Sequence, residues 1–424
     1  MKNITLDSIK KAKQDFGDFI KTSPLEYSKR LSKKYGAEIF LKREDLQSVR
    51  SYKIRGAFNK INSLSQEEKK SGVVCASAGN HAQGVAITCH KLEIKGTIYM
   101  PITTPEQKVY KTRQFGGDYV DVVLIGDTFD QALKEAFNFQ EKNGATFVHP
   151  FDDYKTIEGQ STVSLEIFEQ LKSPHLDKEG LGVVPDYIIC PIGGGGFISG
   201  QILAKNLINP ETKIIGAEPV GASGMKTSLE LGKNTTLENI DIFVDGAAVG
   251  KVGDIPLQIC KQEKIEIIEC PENRVCTTIL DYLKEDGIVI EPAGALATDA
   301  LKDLGEKIKG KKVVIIISGS NFDFERLPEV KERSLKYEGL KKYYLINFPQ
   351  RPGALKDFLN CLGEEDDIER FEYLKKSAKN TAPVFIGLKT LNPKNWENIE
   401  KNMTKLGFKY NDVTNDEIYF NLLV

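Results

Sequence analysis

The sequence lacks the spacings that mark metal centres and disulfide frameworks. Its seven cysteines, Cys75, Cys89, Cys190, Cys260, Cys270, Cys276 and Cys361, include no CxxC pair. An odd, scattered set fits reduced thiols in a cytoplasm. The four histidines, His81, His90, His149 and His175, form no HExxH arrangement, so no metal is expected at the site. An excess of one charge is missing too. The net charge of -2 gives no reason to expect nucleic acid or an anionic membrane as a partner. The longest apolar run, Val313 to Ile317, falls far short of the ~18 residues that span a bilayer. Residues 1–7 contain no apolar core of signal-peptide length, so a cytoplasmic protein is expected. A 40% apolar and 28% charged composition over 424 residues is that of an ordinary globular chain with two or three domains.

What the chain does have is alternation. Ile9, Ala12, Phe16 and Ile20 recur at helical spacing behind Asp7 as an N-cap. Apolar runs at 73–77, 96–100, 119–124, 187–190, 213–218 and 312–318 alternate with helical patterns. This predicts parallel sheets wrapped by helices, with ligand sites at the C-terminal ends of the strands. The charged stretch 326–338 reads as a linker or exposed helix. Beyond it, strands at 343–348, 369–374, 384–388 and 418–423 and helices at 353–362 and 396–406 give the order β-α-β-β-α-β of a ferredoxin-like domain.

Several stretches carry chemistry. Lys53 stands in Ser51-Tyr52-Lys53-Ile54-Arg55-Gly56-Ala57. A lysine in a partly apolar pocket loses ammonium solvation, its pKa falls, and the neutral amine can bond an aldehyde. Read alone, it is an ordinary lysine at a helix start. The tetraglycine run Gly193, Gly194, Gly195 and Gly196 joins a strand to a helix. Such a turn brings several N–H groups onto one anion and points to a phosphate, with a flexible turn as the alternative. It is neither GxGxxG nor Walker A, so dinucleotides and nucleoside triphosphates are not indicated. Ser77-Ala78-Gly79-Asn80-His81-Ala82-Gln83-Gly84 is a second strand-to-helix junction. Its N–H groups could hold a carboxylate and the Asn80 amide a phenolate oxygen, or Ser77 and Asn80 could simply cap the helix. His81 could be a packing histidine. Ser318-Gly319-Ser320-Asn321 and Glu291-Pro292-Ala293-Gly294-Ala295 each read as a ligand loop or as a turn.

Taken together, these motifs resemble those of the threonine dehydratases (threonine deaminases), fold-type II pyridoxal-phosphate enzymes with a tryptophan-synthase-beta-like fold. The resemblance runs from about residue 5 to 325. The remainder resembles a single ACT-like regulatory domain, with Arg351, Pro352 and Gly353 at its first strand-to-helix turn. The resemblance implies a pyridoxal 5'-phosphate-dependent catalytic domain over 1–330, with a smaller subdomain at roughly 51–150, and an ACT-like domain over 335–424. It implies that Lys53 bonds the cofactor and later acts as base. Tyr52 would cover the ring, Gly193 to Gly196 hold the phosphate, Asn80 bond the ring 3-oxygen and Ser318 the pyridine nitrogen. A serine hydroxyl is far less acidic than a pyridinium, so it leaves that nitrogen unprotonated and the electron sink weak, which suits elimination. Ser77, Ala78, Gly79, Asn80 and His81 would bind substrate.

The implied reaction is L-threonine to 2-oxobutanoate and ammonia in isoleucine synthesis. Isoleucine is the expected effector, and a homodimer or homotetramer the expected assembly. Two departures stand out. Glu218 is not followed closely by an Asp, which puts a divalent-cation site in doubt, and Ala78 replaces a second serine of racemase relatives. A serine dehydratase or racemase is the rival reaction. An amino-acid-sensing protein on a dead catalytic fold is the rival class.

Overall fold

The computed structural model describes residues 4–172, 184–373, 380–416 and 418–419. It divides into two compact units, Met1–Glu272 with Glu285–Phe322, and Asn273–Lys284 with Asp323–Val424.

The first unit holds two sheets. The larger runs in the order Leu25–Tyr27, Glu38–Arg43, Lys312–Ile317, Tyr187–Pro191, Lys213–Pro219, Glu266–Cys270. Only the first strand is antiparallel to its neighbour. Val313 to Ile317 are fully buried because helices cover both faces, and a continuous β-branched run is what such a strand requires. The smaller sheet is parallel, in the order Val120–Leu124, Gly96–Met100, Val73–Ala76, Thr146–Phe147. Between the sheets' cores the helix Lys53–Asn62 packs on Tyr154–Leu171. Glycines make that crossing close: a Cβ on Gly159 would lie 2.4 Å from the Arg55 carbonyl oxygen.

The first helix is Leu6–Asp15, capped by Thr5 and not by Asp7. Thr5 and Ser8 bond each other's backbone N–H reciprocally, which a lone Asp7 could not do. Gly17, at φ +50°, ends the helical spacing, yet Phe16 and Ile20 remain buried.

The second unit carries an antiparallel sheet ordered Asp366–Tyr373, Thr381–Thr390, Lys341–Pro349, Lys409–Asp412. Helices Ala354–Leu359 and Asn395–Lys405 complete the ferredoxin-like order. Among the described residues the last strand is Lys409–Asp412, ahead of the expected 418–423. Most of that segment lies outside the described residues, and Ile418 and Tyr419 are not in a strand. The strand at 409–412 was hidden by its composition. Lys409, Asn411 and Asp412 are exposed, as a polar edge strand should be. The charged stretch is the helix Leu327–Tyr337, with Val330, Glu332 and Ser334 buried, so residues 330–335 lie inside one element. Glu332 fixes it to the sheet, accepting from Tyr343 Oη at 2.8 Å and Lys341 Nζ at 2.6 Å.

Candidate active site

The approach to Lys53 is tied to the end of the strand Lys312–Ile317. Tyr52 N–H donates to the Ser318 carbonyl at 3.2 Å, and Ser320 N–H to that of Arg50 at 2.9 Å. Lys53 then opens its helix. The helix Asn80–Leu92 comes alongside at Gly84, where a Cβ would sit 3.2 Å from the Lys53 carbonyl. Lys53 Nζ donates to the Pro150 carbonyl at 3.0 Å and lies 5.5 Å from the centre of the Tyr52 ring. Burial lowers this amine to about 8, against a smaller upward pull from Glu291. The Tyr52 ring in turn packs on Phe197 at a tilt of 33°, 3.9 Å between centres.

The tetraglycine run is the turn between Tyr187–Pro191 and the helix Gly196–Ile208. Gly195 adopts φ +88°, a left-handed conformation that glycine takes without strain. Its neighbours have no room for a side chain. A Cβ on Gly194 would lie 2.3 Å from the Phe151 ring, and one on Gly196 2.5 Å from the Phe151 carbonyl oxygen. Phe151 packs close on one side of the turn, and all four glycines line a cavity on the other, so main-chain groups and a helix N-terminus border it, which is the arrangement that receives an anion.

A cavity of about 960 Å³ joins these parts. Tyr52, Lys53, Ser77, Ala78, Gly79, Asn80, His81 and Gly193 to Gly196 all line it. Ser318 is not among its lining residues; it is buried at the adjoining strand end. Arg351, Pro352 and Gly353 belong to the second unit. There Gly353 takes φ +83°, and Arg351 Nη2 donates to Asp357 at 2.6 Å.

Within the cavity the polar groups differ in use. Ser77 Oγ accepts the N–H groups of Gly79 and Ala82, both at 3.3 Å. As acceptor in both bonds it keeps its own hydroxyl proton to donate. His81 Nε2 bonds the Val148 carbonyl at 2.8 Å, so that nitrogen carries the proton. Burial first, then the charge of Lys53, lower His81 to about 3, which makes it a neutral packing group.

Sequence reasoning gave no role to four further lining groups. Glu291 accepts from Asn80 Nδ2 at 2.7 Å, and burial with Asp245 nearby raises it to about 7. Asn321 donates to Asn80 Oδ1 at 2.7 Å. Lys108 and Asp245 form an ion pair at 2.5 Å. Glu291 and Asn321 stood in motifs already noted; nothing in their local sequence pairs either with Asn80 or Lys108 with Asp245.

Glu218 is buried, and its carboxylate accepts the N–H groups of Met225 and Lys226 at 2.8 and 2.9 Å. Burial raises it to about 8. Among the described residues no group of three or more His, Cys, Asp or Glu side chains is placed to hold a metal. Among the same residues no helix is long and apolar enough to cross a membrane.

Comparison with known proteins places these features in a family. Residues 17–319 match the model of the pyridoxal-phosphate dependent enzymes, and residues 332–423 that of the C-terminal regulatory domain of threonine dehydratase. The chain is 48% identical over 425 residues to the L-threonine dehydratase biosynthetic IlvA of Halalkalibacterium halodurans, covering 100% of both. Among solved structures it resembles the processed form of threonine deaminase isoform 2 from Solanum lycopersicum. That match has a TM-score of 0.70 at 39% identity and covers 78% of this chain and 94% of the other. It also resembles maize serine racemase, with a TM-score of 0.69 at 30% identity over 79% of this chain and 98% of the other. Matched along its whole length, the chain belongs to the biosynthetic threonine dehydratases, pyridoxal-phosphate-dependent enzymes with a C-terminal regulatory domain.

Proposed function

We propose that this chain converts L-threonine to 2-oxobutanoate and ammonia in the cytoplasm, with pyridoxal 5'-phosphate as cofactor. One observation carries the reading. An amine lowered to about 8 and a glycine turn with no room for a Cβ line the same cavity. The residues fit the cofactor. The N–H groups at Gly193 to Gly196 suit its phosphate, Tyr52 its ring face, Asn80 its phenolate oxygen and Lys53 Nζ its aldehyde carbon, all of them on the cavity wall. Ser318, proposed for its ring nitrogen, stands buried at the adjoining strand end. When bound, the cofactor supplies an electron sink for the pair released at the substrate α carbon.

The chain's own groups do the rest. The N-terminal turn of the helix Asn80–Leu92, with Ser77, Ala78, Gly79 and His81 around it, receives the substrate carboxylate. Lys53 Nζ, which burial lowers to about 8 so that a sizeable share is neutral near that pH, takes the proton from the α carbon. The β-hydroxyl takes that proton back from the Lys53 ammonium and leaves as water, and hydrolysis of the resulting enamine gives the 2-oxoacid and ammonia. Assay of 2-oxoacid formation tests this directly: L-threonine should be consumed, and no product from either L-threonine or L-serine would overturn it.

Racemisation should be minor. It needs a proton donor on the face opposite Lys53, and Ala78 has no proton to give. In deuterated water L-serine should yield pyruvate and little D-serine, with Ala78→Ser raising the D-serine fraction. Substantial D-serine from the unmodified protein would refute this.

We place the effector site in the second unit, at the turn Arg351, Pro352 and Gly353, and take isoleucine as the ligand. The match of 332–423 to a regulatory domain supports this. A site shared between two copies would make the working form a homodimer or homotetramer. Isoleucine should lower activity at least about tenfold, which needs about 1.4 kcal/mol of coupling between the sites. Arg351→Ala should weaken that response while uninhibited turnover stays within about twofold, as expected for an exposed side chain. Equal inhibition of both proteins would remove the turn from the site. No response in either would remove isoleucine.

A further inference from the structure

The side chains bordering the cavity form a hydrogen-bond chain with only one possible direction. It starts at the Val49 carbonyl oxygen, which can only accept. Asn321 Nδ2 donates to it at 2.8 Å and, with its other N–H, to Asn80 Oδ1 at 2.7 Å. The Asn321 amide therefore has one orientation, and so has that of Asn80: oxygen toward Asn321, nitrogen toward Glu291. Asn80 Nδ2 gives one N–H to Glu291 Oε1 at 2.7 Å, while Glu291 Oε2 accepts the main-chain N–H of Asn321 at 3.2 Å. One N–H of Asn80 remains for whatever occupies the cavity.

Glu291 has little freedom to move. It is 5% exposed, and a Cβ on Gly319 would sit 2.1 Å from its Oε1. Its main-chain N–H also donates to the Gly319 carbonyl at 3.2 Å. The carboxylate, the amide and the strand end are thus locked in one arrangement.

We propose that Glu291 is a positioning residue for the cofactor. It holds the Asn80 amide so that a single N–H is presented to the phenolate oxygen of pyridoxal 5'-phosphate. The inference rests on the reading that Asn80 contacts the cofactor. The ionised form suits the task because it accepts on both oxygens, and the two N–H groups aimed at it favour that form over the protonated one. An amide in its place must turn an NH₂ group toward either Asn80 Nδ2 or the Asn321 N–H, both of them donors.

The test uses the full-length protein freed of cofactor and titrated with pyridoxal 5'-phosphate, the half-saturation being read from the visible absorbance band. Asn80→Ala should raise half-saturation about tenfold or more, the worth of one hydrogen bond to a charged group. Glu291→Gln should raise it by a similar factor. In the Asn80→Ala background Glu291→Gln should add less than about twofold, because its effect passes through Asn80. Independent structural damage would instead multiply the two effects, and that result would overturn the proposal. A Glu291→Gln single variant with wild-type half-saturation would overturn it as well. If Asn80→Ala alone changes nothing, the contact between Asn80 and the cofactor is wrong and the role of Glu291 falls with it. Should Glu291→Gln not fold, Asn321→Ala removes the other half of the clamp. It carries the same two expectations, a tenfold loss alone and none beside Asn80→Ala.

Discussion

Lys53→Ala should fold normally, lose the cofactor's visible absorbance band, and turn over L-threonine about 10⁴-fold more slowly or worse. The side chain borders a cavity and holds only the Pro150 carbonyl, so its removal leaves no buried charge unpaired. Retention of both the band and the turnover would refute its role. The lowered pKa makes a second prediction on the same residue. Only the neutral amine attacks an aldehyde. Burial holds Lys53 near 8, so at pH 8 about half of it is neutral, against about 0.3% of a lysine titrating near 10.5. Attachment of the cofactor to the free protein should therefore speed up as pH rises from 6 to 8 and level off above. A rate still climbing tenfold per pH unit at pH 9 would show an ordinary, solvated lysine.

How much of this was legible depends on whether the signal was local. Lys53 and the four glycines could be read because each requirement is met within a few residues. A strand, a turn with no side chains and a helix start follow one another directly from Tyr187 to Ile208. The strand Lys312–Ile317 was equally plain, since a strand buried on both faces has no polar alternation to confuse it. The polar edge strand Lys409–Asp412 was not, because half-exposed edges carry little hydrophobic pattern. Nor was the clamp on Asn80. Its members stand 211 and 241 residues away, and nothing in a glutamate before a proline, or in an asparagine after a serine, says which amide it will meet. The segment His149 to Asp152 was invisible for the same reason, although Pro150 accepts from Lys53 and Phe151 sets the space around the glycines. Their roles exist only once the smaller sheet has folded.

Arg55→Met should destabilise the first unit by about 3–5 kcal/mol, the usual effect of removing one partner from a buried ion pair. Arg55 and Glu44 are 0% exposed at their side chains and Glu166 2%. The guanidinium reaches Glu44 Oε1 and Oε2 at 2.8 Å each, Glu166 Oε1 at 2.6 Å and Glu166 Oε2 at 2.9 Å. Lys42 Nζ adds a second cation on Glu166 at 2.6 Å. Two cations thus balance two carboxylates, and methionine leaves one negative charge uncompensated.

The pH dependence follows from the sign of the shift at Glu166. Burial pushes this carboxyl up, but Arg55 and then Lys42 outweigh it, so its pKa lies below the ordinary value. In the unmodified protein Glu166 therefore contributes stability above the unfolded carboxyl pKa and loses it as pH falls. Without Arg55 the burial effect gains ground, a proton on the buried acids becomes favourable, and the variant should lose stability as pH rises. The gap between the two proteins in urea unfolding should thus be widest near pH 7–8 and narrow toward pH 4–5. Adding Glu44→Gln restores the charge balance with Lys42 and Glu166 and should recover a substantial part of the loss. Arg55 lies two residues beyond Lys53 on the same helix, so Arg55→Met should also weaken cofactor retention. If Glu44→Gln instead destabilises Arg55→Met further, charge balance is not what holds this helix, and the cost must come from lost packing alone.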